Sequence, residues 1–279
     1  MKNTFILCVL CYSLFAKAQS SREVVNPNLW QDFTYDMGVV FGGVGHAYTR
    51  PLQWQGNDFR NLGFVAAGVG SLALLDDEIR TVAGNQLDDV PNFILEYGDR
   101  SGSPQVAYSF QGAIYLTGLF TRNEKLRRTG VLLISSATAT GFLQQLTKSV
   151  TGRARPGAGL GNSHFRPFGG SAAFRSFPSG HAVLTFTAAH SIAKQFDNRW
   201  VKAGIYTLGV IPGLTRIYQE QHWATDVVLS WALSYFMVEA IDIYLDKKYD
   251  QKYNPQSDNA LSKLSLSLGG GGVGVAYSF

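Results

Sequence analysis

The run 227-VVLSWALSYFMVEAIDIYL-245 sets the class of this fold. Val227, Val228, Trp231, Ala232, Tyr235 and Val238 recur at spacings of one, three and four, the period of a helix face and not the alternation of a strand. Toward the N-terminus, five more apolar blocks of helical length lie at about 62–75, 105–120, 130–147, 181–195 and 203–214. Composition agrees with closely packed helices. Of 279 residues, 46% are hydrophobic and 16% charged, where soluble domains carry about 25% charged residues. That apolar content excludes a disordered tail protein. A formal net charge of +4 over this length makes no phosphate-tracking stripe, so nucleic acid is not an expected partner. The expectation is an all-α fold.

The two ends of the chain read differently. Lys2, the apolar run from Phe5 to Phe15 and Ala16-Lys17-Ala18 have the order of a secretory leader, residues 1–18. Cys8 and Cys11 both fall inside it. The chain after Ala18 therefore holds no cysteine, which rules out a disulfide, a thiolate metal site or a cysteine nucleophile there. Residues 19–60 form an N-terminal extension with a Gly-Val stretch, Gly38 to Gly45, that no local pattern assigns. A helical domain is expected over 61–246 and a tail over 247–279. In the tail, Leu264, Leu266, Leu268, Val273, Val275 and Tyr277 alternate around Gly269 to Gly272. That pattern predicts one or two short strands, with residues 38–48 as a pairing partner.

Low charge leaves membrane association open, and whether the helices span a bilayer is a separate matter. The stretches Ser101–Thr121 and Thr129–Thr147 are long and free of charge, yet carry several Gln, Ser and Thr. The other blocks are nearer the length of buried core helices. The connections at 122–128 and 194–202 and the stretch after Asp246 are basic and lie at one end of an up-down bundle. An exported N-terminus and six crossings would place those basic loops outside. Either 33–48 is a further crossing, or the bundle sits in the periplasm or on a membrane surface.

Three polar clusters fall at the opposite end of the bundle: Lys148 with Arg155-Pro156, Pro178-Ser179-Gly180-His181, and Arg216 with His222 and Asp226. In an up-down bundle these positions share one face and converge. Lys148, Arg155 and Arg216 concentrate positive charge, two of them as planar forks suited to phosphate oxygens. Ser179 and Gly180 open a helix, where backbone N–H groups and the dipole favour an anion. Asp226 stands four residues after His222 and reaches one ring nitrogen on a helix, leaving the other aimed outward as a nucleophile or base. His181 is then free to protonate a leaving alkoxide. Each piece alone has an ordinary structural reading as a cap or a buried pair; the conjunction points to chemistry. Three nearby cations would repel a divalent ion, so no metal is expected.

The series Lys148-x6-Arg155-Pro156, Pro178-Ser179-Gly180-His181 and Arg216-x5-His222-x3-Asp226 resembles the signature of the type 2 phosphatidic acid phosphatase superfamily, which includes bacterial class A acid phosphatases and vanadium haloperoxidases. The resemblance covers about residues 60 to 245. It implies a six-helix core bundle and metal-independent hydrolysis of a phosphomonoester or pyrophosphate through a phosphohistidine. By position, His222 is the nucleophile, Asp226 its orienting partner and His181 the general acid. Lys148, Arg155, Ser179, Gly180 and Arg216 hold the phosphoryl group. Thr215 stands where the family usually has serine, so a hydroxyl is kept. The implied substrate is a phosphorylated lipid or a small phosphoester, no cofactor is needed, and vanadate would fit as a phosphate mimic. The implied location is a bacterial cell envelope with the site facing the periplasm. A soluble-substrate periplasmic acid phosphatase and a non-catalytic binder of phosphorylated lipid head groups are the alternatives.

Other histidines are poorer candidates. His190 lies nine residues after His181, on the opposite face of the same helix. His164, Arg166 and Arg175, in the long Gly152–Ser179 connection, are placed to guide substrate, and His46 has no assigned partner.

Overall fold

A computed structural model describes residues 28–253, 264–269 and 272–277. The leader expected at 1–18 lies outside them. The described chain is all-α apart from its tail. Nine α-helices run in order among the described residues: α1 (Leu29–Thr49), α2 (Gly56–Ala73), α3 (Asp76–Asn85), α4 (Asn92–Ser101), α5 (Pro104–Phe120), α6 (Glu124–Thr151), α7 (Gly180–Ala193), α8 (Arg199–Tyr218) and α9 (Ala224–Tyr253). The six apolar blocks fall in α2 and α5 to α9.

Local chemistry sets the helix ends. Asn28 and Gln31 make a reciprocal capping box at the start of α1. Asn123 caps α6, Ser179 caps α7 and Asn198 caps α8. Gly152 ends α6 in the left-handed region at φ 56°, where a Cβ would meet the Arg166 carbonyl oxygen at 1.8 Å.

The core is organised on α9, which packs against α1, α2, α6 and α7. Val238, Ile241 and Leu245 of α9 meet Val131 and Leu132 of α6, Tyr115 of α5, and Val39 and Val40 of α1. Fully burying such a side chain is worth about 1.5–3 kcal/mol. The Gly-Val stretch at 38–45 is therefore part of α1 and not a strand. Two of its glycines, Gly42 and Gly43, serve helix approach: a Cβ on Gly42 would lie 2.0 Å from the Tyr244 hydroxyl. The expected pairing of the tail with 38–48 is thus overturned. Residues 264–269 and 272–277 form strands β1 and β2 that pair antiparallel with each other, from Leu264 opposite Tyr277 to Gly269 opposite Gly272.

Much of the basic charge at the far end of the bundle is neutralised within it. Arg127 binds Asp32 and Asp36 at 2.9 Å each, Arg128 binds Asp242, and Lys194 binds Glu239 and Asp242. Among the described residues one helix, α9, is long and apolar enough to cross a membrane. α2 carries no buried residue and lies on the outside of the bundle.

Candidate active site

The three clusters occupy the ends of α6, α7, α8 and α9 and the connection between α6 and α7. That connection is ordered by backbone bonds. Ala154 N–H donates to His164 O at 2.9 Å, Arg155 N–H to Ala173 O at 2.8 Å and Ser176 N–H to Arg153 O at 3.1 Å. Arg155 is thereby held beside Gln221, whose side-chain oxygen accepts from its guanidinium. Lys148, 7% exposed, projects from the last turn of α6 and donates to the Arg175 carbonyl at 2.9 Å. Ser179 is fully buried at the N-cap of α7, and its N–H donates to the Asp226 carbonyl at 3.3 Å. A Cβ at Gly180 would come within 3.3 Å of the Gln144 amide nitrogen.

Beyond α8 the chain turns sharply, with the N–H groups of Gln221 and His222 both donating to the Arg216 carbonyl, at 2.9 and 3.1 Å. His222, 3% exposed, then faces Asp226, with Nδ1 3.5 Å from Oδ2. That separation is looser than a formed hydrogen bond. Asp226 is fully buried and closes the first turn of α9 by accepting from Trp223 N–H at 2.9 Å. The Ser176 hydroxyl also donates to its Oδ2, and Arg153 donates to its Oδ1 at 2.7 Å. On the other side, His181 Nε2 meets an Arg216 N–H, and Arg216 pairs with Asp99 of α4 at 2.8 Å.

Electrostatics follow from this crowding. Burial pushes His222 down to about 4, and the positive charges of Lys148 and Arg155 add to it against the pull of Asp226. His181 is likewise lowered to about 4, by burial and then by Arg216. Burial together with Arg155 brings Lys148 down to about 7. Burial alone would raise Asp226, but His222, Arg153 and Ser176 more than offset it and hold the carboxyl below its usual range. The site therefore presents neutral imidazoles among cations, with a charged carboxylate behind one of them.

The expected residues fall into two linked groups: Lys148, Arg155, Ser179, His222 and Asp226 in one, His181 and Arg216 in the other. The Arg216 carbonyl joins them through His222 N–H. Arg175 stands beside Lys148, with its guanidinium on Gln145 at 2.7 Å. His164 and Arg166 instead pack on the Phe174 ring. His190 is buried against Tyr206 and Glu239, and His46 stacks on Tyr244. Glu220 is held by Arg80 at 2.8 Å, and the fully buried Trp223 donates to the Ala154 carbonyl at 2.8 Å.

Spacing alone did not point to Asp76, Asp99, Arg153 or Ser176. Asp76 and Arg153 are 77 positions apart and joined only by the fold. Arg153 did carry a signal, as a second arginine two positions before Arg155 in a chain of low charge. Among the described residues no group of three or more His, Cys, Asp or Glu is arranged to hold a metal ion. A groove of about 400 Å³ lies along α8, walled by Val90, Ile94, Ile211 and Leu214 with Gln86 and Asp89 at its edge; Thr215, also on its wall, precedes Arg216.

Comparison with known proteins gives consistent matches. The chain is 28% identical over 195 residues to lipid A 1-phosphatase of Rhizobium etli, covering 65% of this chain and 81% of that protein. Lipid A 1-phosphatase of Rhizobium johnstonii is 28% identical over 192 residues, covering 65% and 77%. A third match, lipid A 1-phosphatase of Porphyromonas gingivalis, is 29% identical over 116 residues, 38% of this chain and 25% of that protein. Among solved structures, Aquifex aeolicus LpxE aligns with a TM-score of 0.46 and 21% identity, over 62% of this chain and 95% of the other. Residues 129–249 match the model of the PAP2 superfamily, a span that contains all three motif groups. Through its α6-to-α9 core the chain is thus similar to the PAP2 superfamily.

Proposed function

We propose that the protein is a metal-independent lipid phosphatase that works through a phosphohistidine on His222. One observation carries the reading: a buried His222 backed by Asp226 lies beside Lys148 and Arg155, and its N–H donates to the carbonyl of Arg216, whose guanidinium meets His181. The three cations and the N-terminus of α7 at Ser179 and Gly180 would take the phosphoryl oxygens, where most of the transferred charge resides. His222 Nε2 attacks phosphorus while the P–O bond to the alcohol breaks, and His181 gives that oxygen a proton. Water then attacks the phosphohistidine and gives a proton back to His181, which releases inorganic phosphate and restores both rings.

A protonated His181 is needed for the first half. The Arg216 N–H on its Nε2 disfavours that form. A phosphoryl dianion drawn between Arg216 and the ring would reverse the balance, so substrate itself would charge the acid. The lipid preference is supported by the lipid A 1-phosphatase relatives and by the groove along α8 with its wall of Val90, Ile94, Ile211 and Leu214. The same relatives support an envelope location, and we assign the site to the periplasmic side. The test is phosphate release by the purified protein from matched lipid and water-soluble phosphates. We expect lipid phosphates to be preferred, His222→Ala to abolish release, and EDTA to leave it unchanged. Full activity in His222→Ala would sink the mechanism. Lipid binding with no release from any substrate would favour a non-catalytic binder.

A further inference from the structure

Asp76 opens α3, outside the segment that matches the family, and is 1% exposed. Its partners all lie at the start of α9 or next to it. Oδ1 accepts from the Thr225 N–H at 3.1 Å, and Oδ2 accepts from the Thr225 hydroxyl at 2.6 Å and from Arg153 Nη2 at 2.8 Å. Arg153, 5% exposed, donates through Nη1 to Thr225 Oγ1 at 2.6 Å and to Asp226 Oδ1 at 2.7 Å, and through Nε to the Asn162 carbonyl at 2.9 Å. The Trp223 and Phe177 rings flank the guanidinium, 5.5 and 5.9 Å from Cζ. A continuous chain of charge-assisted bonds therefore runs from Asp76 through Thr225 and Arg153 to Asp226, the residue that faces His222.

This chain does two things for Asp226. It fixes the carboxylate plane, because Oδ1 is held by Arg153 while Oδ2 is held by Ser176 and the Trp223 N–H. It also divides the arginine charge. A guanidinium bound to Asp226 alone would cancel the negative charge that His222 uses; Asp76 takes a share of it and leaves Asp226 its pull on the imidazole.

We propose that Asp76 and Arg153 are positioning residues for the His222–Asp226 pair, holding the carboxylate in register and preserving its charge. The proposal rests on His222 as nucleophile and adds a requirement from α3. Removing one partner of a buried ion pair also destabilises a fold, so the decisive variants keep charge or remove it in balance. Arg153→Lys retains the cation but not the fork that spans Asp76, Thr225 and Asp226. Asp76→Asn/Arg153→Gln removes both charges.

The assay follows p-nitrophenyl phosphate and phosphatidate in detergent micelles, with folding checked by circular dichroism. Rapid quench of phosphorus-labelled substrate reads the base-stable, acid-labile phosphoprotein. Both variants are expected to lose about ten- to a hundred-fold in kcat and in the rate of phosphoprotein formation, as a misplaced reacting group does. KM should stay within about three-fold, because the phosphate ligands are untouched. If one variant fails to fold, the other decides. Wild-type kcat in a folded variant, with His222→Ala dead, overturns the positioning role and leaves the nucleophile intact. Loss of fold in both makes the pair a folding determinant and equally overturns it. An active His222→Ala overturns the reading beneath.

Discussion

His222 and His181 are pushed down to about 4 for related reasons: each is desolvated and each faces cations, Lys148 and Arg155 in one case and Arg216 in the other. In the unfolded chain both return to about 6.5. Between those values the unfolded chain binds protons that the folded chain refuses, so stability falls as pH is lowered across the window. We predict that the melting midpoint drops from pH 6.5 toward pH 4, with His190 and His46, also lowered by burial, adding to it, and that His181→Asn shows a shallower drop because one contributing group is gone. A midpoint indifferent to pH in that range would show that the imidazoles are not held neutral. Inorganic phosphate or vanadate should raise the midpoint at each pH, since an anion among three cations binds only the folded state. These residues were legible in the sequence because spacing along helix ends carries them. Asp76 and Asp99 were not, because each reaches the site from a short polar helix far away in the chain.

At the scale of the elements, legibility followed periodicity. The apolar blocks that became α5 to α9 repeat at helical spacing over many residues, so their pattern survives single polar substitutions. The helices α3 and α4 are ten residues each, too short for an apolar repeat to stand out in the sequence, and polar contacts help to attach them. Gly98 of α4 shows how. A Cβ there would lie 2.0 Å from Thr215 Oγ1, and the next residue, Asp99, holds Arg216. Gly102, just past α4, leaves room for the His181 ring, which would come within 2.3 Å of an added Cβ. We predict that Gly98→Ala destabilises the protein by about 1–3 kcal/mol, measured by urea unfolding. It should also cut phosphatase activity by more than the lost folded fraction, because the whole of α4 must shift away from Arg216. A stable and fully active Gly98→Ala would mean that α4 has no part in setting Arg216. Gly-Val runs such as 38–45 mislead for the same reason, since glycines that admit a neighbouring helix look locally like a strand or a loop.

For the whole molecule, the scarcity of charge has two sources. Many of the charged side chains that exist are used internally, in the Arg127–Asp32–Asp36 cluster, the Arg128–Asp242 and Lys194–Glu239 pairs, and the Asp76–Arg153–Asp226 chain. Meanwhile large apolar side chains stand outward: Phe59 is 57% exposed, Phe64 69% and Leu74 79%, all in or beside α2, which meets the core only through partly buried residues such as Leu72. Scattered exposed apolar residues are ordinary, but several large ones gathered on the outward side of one helix are not. In a chain that also has a groove along α8 and a proposed phosphate-binding cluster, such a surface suits a protein that meets its substrate at a lipid interface. The prediction is that the native protein stays with membranes through high salt and is released by detergent. Replacing Phe59, Phe64 and Leu74 together by serine should weaken that retention and lower activity on phosphatidate, with activity on p-nitrophenyl phosphate unchanged. Release by salt alone would contradict a hydrophobic attachment. Equal losses on both substrates would locate the effect of the triple variant in folding, because the bonds that hold His222, Lys148, Arg155 and His181 come from other residues.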